Sequence, residues 1–216
     1  MCEIFIMTTI ILTSTVNVYE NIDVTFQKDP ESRLRTYLRS VLNWLNNTNF
    51  NIVLVENSGY NFDELREEKE KFKDRFEVIV FDETGLDDCI KHAVSKVTHE
   101  LFAINYVFNH SKLIRSSNFI IKVTARFYIP GFEEFLNEYD LNQYDCLVQS
   151  DRGRCEVVGS HRRNFSAVFE MYTNAEIIAE FLWMERTSKY ANILTCNTFQ
   201  IDETPRGGAS HSYNTI

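Results

Sequence analysis

The sequence lacks the short motifs that mark several common enzyme classes. It contains no GxxxxGKS/T, GxGxxG, HExxH or GxSxG segment, which argues against P-loop ATPases, Rossmann dehydrogenases, zinc peptidases and α/β-hydrolases. No Asp-x-Asp follows a predicted strand, so the simplest carboxylate pair for a metal ion is also missing.

Clustered cysteines and histidines are absent as well. The cysteines lie far apart, are odd in number and include no Cys-x-x-Cys pair. The histidines are scattered without the spacing of metal ligands, which favours surface positions. These patterns indicate reduced thiols in a reducing compartment, and we expect a cytoplasmic protein. The cysteines are Cys2, Cys89, Cys146, Cys155 and Cys196, and the histidines are His92, His99, His110, His161 and His211.

The chain has no excess of basic residues and no long apolar segment. Its net charge of -9 makes the average surface repel phosphate backbones. The apolar start, residues 1–12, is well short of the roughly 20 residues that a membrane helix needs, and it lacks the basic start of a signal peptide. We therefore expect no nucleic-acid partner and no integral membrane segment.

Glycine and proline are scarce, with 7 and 3 occurrences in 216 residues, and no linker divides the chain. The composition, 44% hydrophobic and 25% charged, is that of an ordinary globular protein. A chain of this length can bury enough surface for one core. The sequence therefore predicts a single domain, residues 1–216.

Strands and helices alternate along the first half of the chain. β-branched runs bounded by polar loops predict buried strands, and apolar residues at three- and four-residue steps predict helices. Such alternation favours an α/β sandwich with a largely parallel sheet, whose ligands collect at the carboxyl ends of the strands. The predicted strands are 9–16, 51–55 and 76–81, and the predicted helices begin after Asp29, near 63–75 and near 98–112.

The second half predicts a mixed sheet. A strand over 119–127 is followed by segments 145–149 and 155–159, which are close enough in sequence to pair antiparallel. Helices are expected near 165–172 and 175–190, and a last strand near 198–201.

Lys122, Thr124 and Arg126 share one face of the predicted strand 119–127, because side chains alternate along a strand. The two cations stand about 13 Å apart at roughly 3.3 Å per residue, and their long side chains can converge on one diphosphate. Arginine offers a planar fork to phosphate oxygens and lysine a mobile point charge. A solvated face of an amphipathic strand explains the same pattern equally well.

Lys96 and Glu100 lie four residues apart at the start of a predicted helix. Free N–H groups and the helix dipole favour an anion there. A surface ion pair on the helix is the structural alternative.

Polar clusters follow the first two predicted strands. In a parallel sheet these loops face one crevice, where hydroxyls and a carboxylate suit a base and a ribose, although turn and capping roles explain the same residues. The candidates are Thr13, Ser14, Thr15, Glu56, Asn57 and Ser58, with Arg33 near the start of the first helix. Arg206, Gly207 and Gly208 form a second candidate, a phosphate-covering loop or a disordered tail.

The segment Lys122-Val123-Thr124-Ala125-Arg126-Phe127 resembles the Lys-x-Thr-Gly-Arg-Tyr strand of a group of GT-A-like glycosyltransferases from bacterial surface-polysaccharide clusters and large DNA viruses. Three further elements are similar to elements of that group and follow the same order along the chain: Glu56-Asn57-Ser58, Lys96-Val97-Thr98-His99-Glu100 and Arg206-Gly207-Gly208. Ala125 and Val97 stand where the group has glycine. The whole is also similar to chlorella-virus glycosyltransferases.

The resemblance implies a GT-A-like three-layer sandwich with a central mixed, mostly parallel sheet. It further implies transfer of a sugar from a nucleotide diphosphate sugar, with uridine the expected nucleoside, to a glycan or glycoprotein acceptor. A catalytically inactive nucleotide-sugar-binding or interaction module is the alternative.

Two features of the chemistry stay open at the level of sequence. Asp151 and Glu156 are the candidate catalytic bases, and each is explained as well by a turn or an ion pair. No cofactor is predicted, because Lys122 and Arg126 can neutralise the leaving group. A single Mn²⁺ or Mg²⁺ held by the diphosphate and one carboxylate, such as Glu56 or Asp82, is the alternative.

Overall fold

A computed structural model describes residues 7–18, 27–85, 90, 93, 95–151, 153–173, 178–206 and 210–216. Its centre is a seven-stranded sheet in the order β3-β2-β1-β4-β6-β5-β7. Only β6 runs antiparallel to its neighbours β4 and β5, and the other pairs are parallel. The strands are β1 Thr8–Ser14, β2 Asn51–Glu56, β3 Phe76–Val80, β4 Phe119–Thr124, β5 Cys146–Val148, β6 Val157–His161 and β7 Ile193–Thr195.

Helices cover both faces of this sheet. Those in the described part of the chain are α1 Pro30–Asn47, α2 Arg66–Lys71, α3 Lys96–His110, α4 Lys112–Ser116, α5 Phe132–Asn137, α6 Phe165–Val168 and α7 Ala179–Thr187. Short 3₁₀ turns occupy Asp63–Leu65, Glu83–Gly85, Leu141–Gln143 and Arg162–Asn164. None of the described helices is long and apolar enough to cross a bilayer.

Two hydrophobic cores lie on opposite faces of the sheet. Tyr37 and Trp44 of α1 pack in one core, and Leu101 and Ile104 of α3 pack in the other. Strand β4 contributes to both, because its side chains alternate between the faces. This arrangement confirms the predicted α/β three-layer sandwich with a mixed, mostly parallel sheet.

Helix α1 begins as its sequence predicts. Asp29 is the N-cap, and its carboxylate accepts a 2.8 Å hydrogen bond from the backbone N–H of Ser32. Pro30 occupies the first helical position, where no intrahelical N–H bond is lost. The cap directs the first turn of α1, which carries Arg33, towards the carboxyl end of β1.

Strand β4 is shorter than predicted. It ends at Thr124, and the N–H of Phe127 bonds the carbonyl of Thr124 at 3.0 Å, which turns the chain. The prediction that Arg126 continues the strand is therefore wrong: Arg126 lies in the turn beyond it. Predicted helices 165–172 and 175–190 are also shorter in the structure, where they correspond to α6 and α7.

The end of the chain contains a hairpin that the sequence did not indicate. Strand β8, Gln200–Pro205, pairs antiparallel with β9, Ser212–Thr215, and the two form a sheet of their own. The predicted last strand 198–201 overlaps β8. The short strand β7, which completes the central sheet, was not predicted.

Candidate active site

The candidate site lies where the strand order reverses. Strand β1 has β2 on one side and β4 on the other, so the chain leaves the carboxyl ends of these strands in different directions. In an open α/β sheet this divergence produces a crevice that binds ligands. The loops that follow β1, β2 and β4 and the first turns of α1 and α3 surround it.

The polar residues after β1 and β2 meet as predicted, and they bond mainly to one another. The Thr15 hydroxyl donates to Oδ1 of Asn57 at 2.6 Å, and the N–H of Asn17 donates to Oγ of Ser58 at 2.9 Å. The Ser14 hydroxyl donates to the carbonyl of Val55 at 2.8 Å.

Glu56 joins the two loops. Its buried carboxylate accepts hydrogen bonds from the backbone N–H groups of Val16 at 2.8 Å and of Ser58 and Tyr60 at 2.9 Å, and from the Ser58 hydroxyl. Burial raises the pKa of Glu56, and these hydrogen bonds offset part of that rise. Glu56 therefore shapes the rim of the crevice through the backbone.

Lys122 and Thr124 share the face of β4 that packs against α3. The Lys122 ammonium is almost completely buried and binds Oε1 of Glu100 and the carbonyl of Cys155, each at 2.8 Å. The Thr13 hydroxyl donates to the same Glu100 oxygen at 3.0 Å. Burial lowers the pKa of Lys122, but Glu100 and the other nearby acidic groups together outweigh that effect, so the pKa is raised on balance.

This pairing corrects the expected geometry of the strand. Lys122 and Arg126 do not converge on one point, because Lys122 is held inside the molecule by Glu100 and Arg126 lies beyond the strand end. Glu100 of α3 is thus the partner of Lys122 on β4, and it also accepts the hydrogen bond of Thr13.

Arg33 reaches the crevice from α1. Its guanidinium is buried and donates to the carbonyls of Thr15 at 2.6 Å and Gln27 at 3.0 Å, and to the Tyr37 hydroxyl at 2.6 Å. Burial lowers the pKa of Arg33, and the nearby charge of Arg126 lowers it further. Three hydrogen bonds fix this cation in place without a carboxylate at contact distance among the described residues.

The pKa of Lys96, at the start of α3, indicates that several other cations lie near it. Its pKa is lowered to about 8 by burial and then by the positive charges of Arg126, Arg33, Arg206 and Lys28. These residues come from both helical layers, the end of β4 and the C-terminal hairpin, and we call them the cation cluster. In a chain of net charge -9, such a concentration of positive charge indicates an anion site.

Arg126 is buried and makes one long hydrogen bond to the protein among the described residues. Its side chain is 9% exposed, one Nη donates to the carbonyl of Pro205 at 3.4 Å, and its buried Nε has no hydrogen-bond partner among the described residues. A buried guanidinium N–H without a partner is costly. An anion in the crevice would supply the missing acceptor.

The C-terminal hairpin brings Arg206 to the cluster. Arg206 lies 3.7 Å from Glu180 of α7 and 5.1 Å from the ring centre of Tyr213. Arg154 stacks on the same ring at 3.9 Å and donates to the carbonyl of Thr215 at 2.9 Å. The predicted partners Gly207 and Gly208 lie outside the described residues.

The two candidate bases have different surroundings. Asp151 is exposed, and its carboxylate accepts a 2.9 Å hydrogen bond from the N–H of Gly153, as in a turn. Glu156 is 9% exposed and lies 3.5 Å from Arg154, and its Oε2 accepts no hydrogen bond within the described part of the chain. Glu156 also stands opposite Thr124 across the strands, at the edge of the crevice.

The described residues contain no group of three or more metal-ligating side chains. Of the two carboxylates considered for a single divalent cation, Glu56 has both oxygens hydrogen-bonded within the rim. Asp82 lies next to Ser58 in an isolated bridge.

The sequence patterns did not predict the buried pair of His99 and Glu83 behind the rim. His99 was expected at the surface, whereas it is 8% exposed and its Nδ1 lies 2.5 Å from Oε2 of the fully buried Glu83. No spacing along the chain joins these residues, since folding alone brings them together. Tyr213 was missed for the same reason.

The described cysteines are not in disulfide bonds, in agreement with the expected reduced thiols. Cys146, Cys155 and Cys196 are free thiols. Burial raises the pKa of Cys155 and of Cys196, to about 12 for Cys196, so both are protonated at neutral pH. Cys2 and Cys89 lie outside the described residues.

Comparison with known proteins identifies the fold. No protein-family model matches the sequence, and no curated protein sequence matches it. A solved structure from Desulfovibrio desulfuricans G20, described as a nucleotide-diphospho-sugar transferase, superposes with a TM-score of 0.52 at 15% identity over 88% of this chain and 79% of that chain.

A second solved structure, from Bacillus anthracis and described as a glucose-1-phosphate thymidylyltransferase, has the same TM-score of 0.52 at 11% identity. It covers 88% of this chain and 85% of that chain. At such identities the similarity concerns the fold. The α/β sandwich with its mixed, mostly parallel sheet is the fold of nucleotide-diphospho-sugar transferases.

Proposed function

We propose that this protein is a glycosyltransferase that moves a sugar from a nucleotide diphosphate sugar, with uridine as the nucleoside, to a glycan or glycoprotein acceptor. The observation that carries the proposal is the cation cluster at the point where the strand order reverses. Arg33, Arg126 and Arg206 each act electrostatically on Lys96 there, and Arg126 also acts on Arg33. A diphosphate is the common cellular anion whose charge matches several converging cations.

The roles of the individual cations follow from how firmly each is held. Arg33 is fixed by three hydrogen bonds and presents a preorganised charge to the resting donor. Arg126, whose Nε lacks an acceptor among the described residues, is best placed to respond to the charge that develops on the leaving diphosphate. Lys122 supports the site indirectly, because it holds Glu100 and Thr13 in position.

Glu156 is the stronger of the two candidate bases. It stands opposite Thr124 at the end of β4, and among the described residues its Oε2 has only the 3.5 Å ion pair with Arg154, whereas Asp151 caps a turn. A sugar hydroxyl could donate to that oxygen and lose its proton there. We place the reaction in the cytoplasm, in line with the free thiols of the described cysteines.

Product analysis tests the proposal. The protein is incubated with UDP-sugars and, separately, with GDP-sugars without an acceptor, and binding is followed by calorimetry. A glycosyltransferase leaks slowly to water and releases UDP and free sugar, because the bond from the anomeric carbon to the phosphate oxygen breaks. Absence of both binding and turnover would remove the glycosyltransferase assignment.

The same measurements, with a parallel incubation of the protein with UTP and a sugar 1-phosphate, separate two other activities. Binding without turnover would indicate a catalytically inactive nucleotide-sugar-binding module. Pyrophosphate release from UTP and a sugar 1-phosphate would indicate nucleotidyl transfer, the activity named for the Bacillus anthracis structure.

A further inference from the structure

A chain of buried hydrogen bonds connects the loops of the crevice to α3. The Thr15 hydroxyl donates to Asn57 at 2.6 Å, and Nδ2 of Asn57 donates to Oε1 of Glu83 at 2.7 Å. Oε2 of Glu83 contacts Nδ1 of His99 at 2.5 Å, and Nε2 of His99 contacts the carbonyl of Ala93 at 3.0 Å. We call this chain, from Thr15 to His99, the buried relay.

Both ring nitrogens of His99 face acceptors. As an imidazolium, the ring would donate one N–H to each of them. Burial lowers the pKa of His99, but the hydrogen bond and charge of Glu83, with the carbonyl of Ala93, together outweigh that effect and raise it. The contacts of both ring nitrogens fix the orientation of His99 on α3.

The two ends of the relay carry cations from opposite faces of the sheet. At one end, the carbonyl of Thr15 accepts the 2.6 Å bond from Nε of Arg33, which belongs to α1. At the other end, His99 is on the first turn of α3, three residues after Lys96 and one before Glu100. The two helices pack in different hydrophobic cores.

We propose that His99 and Glu83 are positioning residues of the anion site, which hold the first turn of α3 against the crevice loops so that Lys96 and Arg33 converge on one diphosphate. This inference rests on the proposed function, because it assigns the pair a role in the same site. Neither residue contacts the anion: they act through Lys96 and through the loop that holds Arg33.

A double-mutant cycle on UDP affinity tests the role. His99→Gln keeps a donor at this position but removes the charge, and Lys96→Ala removes the cation that His99 is inferred to place. We expect His99→Gln to raise the Kd for UDP about tenfold when Lys96 is present and less than about twofold in the Lys96→Ala background, since coupled sites are non-additive.

The control is His110→Gln. His110 lies on the same helix, is exposed and contacts the carbonyl of Tyr106 within its own helix. We expect it to leave the Kd for UDP unchanged in both backgrounds. If His99→Gln does not fold cooperatively, Glu83→Asp takes its place, because it shortens the carboxylate and keeps its charge.

Each outcome has a distinct meaning. A folded His99→Gln protein with wild-type affinity, or losses that add in the double mutant, overturns the positioning role and leaves the proposed function intact. If the wild-type protein does not bind UDP, the proposed donor is wrong, and the same cycle with inorganic pyrophosphate tests the positioning role by itself. Failure to bind either probe overturns both.

Discussion

Substitution of Arg126 is the most direct test of the proposed chemistry. Its guanidinium has one 3.4 Å bond to a carbonyl and a buried Nε without an acceptor among the described residues. We expect Arg126→Ala to lower the turnover of a UDP-sugar more than its binding, by about 2 to 4 kcal/mol in the barrier, the range for loss of one preorganised donor. Donor hydrolysis and melting temperature, measured on one preparation, check this.

Arg126→Lys is the matched variant. A point charge cannot reproduce the bidentate geometry of a guanidinium, so we expect partial rescue of turnover. If Arg126 is only a solvated residue of the turn, Arg126→Ala leaves the rate unchanged and shifts stability by no more than about 0.5 kcal/mol. That result would move the site away from the end of β4.

Lys96 predicts a proton linkage in donor binding. Its pKa is lowered to about 8 by burial and by the surrounding arginines and Lys28. A bound diphosphate favours the charged ammonium and raises this pKa, so the complex takes up a proton near pH 8. We therefore expect UDP affinity to fall as the pH rises through about 8, where the free protein loses the proton.

Calorimetry of UDP binding in buffers of different ionisation enthalpy measures that proton uptake. Lys96→Arg is the control, because arginine stays charged in this range and its variant should bind UDP without proton uptake. Equal proton uptake in both proteins would assign the titration to a different group.

At the scale of the elements, β6 has little room where it passes between β4 and β5. A Cβ atom at Gly159 would lie 2.9 Å from both Cβ of Leu147 and a ring carbon of Phe119, and 3.2 Å from Ile121. These neighbours are buried in the core that contains α1, so they cannot shift freely. Glycine is therefore required at this position for packing.

We expect Gly159→Ala to destabilise the fold by about 1 to 3 kcal/mol, the usual cost of an added methylene in a packed core. Urea unfolding followed by circular dichroism measures the change. Gly85→Ala is a suitable comparison, because no atom of the described residues lies within 4 Å of the Cβ that it would add. Equal stability of the two variants would contradict the packing argument.

The remaining elements divide into those that support the site and those that enclose it. Strands β1, β2 and β4 are buried along their lengths and carry the crevice loops on a rigid base. The hairpin β8–β9 is joined to this base by side-chain contacts, including those of Arg126 with Pro205 and Arg39 with Thr204. Ile201 of β8 and Ile216 after β9 also pack in the core that contains α1, and Arg154 stacks on Tyr213, so the hairpin is anchored to the rest of the fold.

For the whole molecule, the positions of the charged residues matter more for ligand binding than the net charge. The chain is acidic at -9, yet the cation cluster, five of its 22 lysines and arginines, lies where the strand order reverses. We expect UDP to bind with nearly the same affinity in EDTA, because Arg33, Lys96 and Arg126 supply the positive charge that a divalent cation supplies elsewhere. Calorimetry in the presence and absence of EDTA checks this.

Two comparisons sharpen that measurement. Affinity for UDP should fall with increasing NaCl because the attraction is screened, whereas uridine, which has no phosphate, should show little salt dependence. A UDP affinity that collapses in EDTA and returns with Mn²⁺ would contradict the prediction and assign the charge to a metal, with Asp82 as the first ligand to test.

The sequence by itself determined the class of fold and the polar rim of the crevice. The alternation of strands and helices predicted the mixed sheet, and the period of two along β4 placed Lys122 and Thr124 on one face. The clusters after β1 and β2 were expected to meet and do, through Thr15 and Asn57. These features depend on residues close in the chain or on neighbouring parallel strands, so local patterns contain them.

Only the tertiary structure decided which charges act together. Lys122 was grouped with Arg126 because both fell in one segment, but it pairs with Glu100, while Arg126 acts with Arg33 and Lys96. No sequence pattern predicted the His99–Glu83 pair or the position of the hairpin. Burial and electrostatic contacts depend on how elements that are distant in the chain pack together. Local periodicity in the sequence contains no information about that packing.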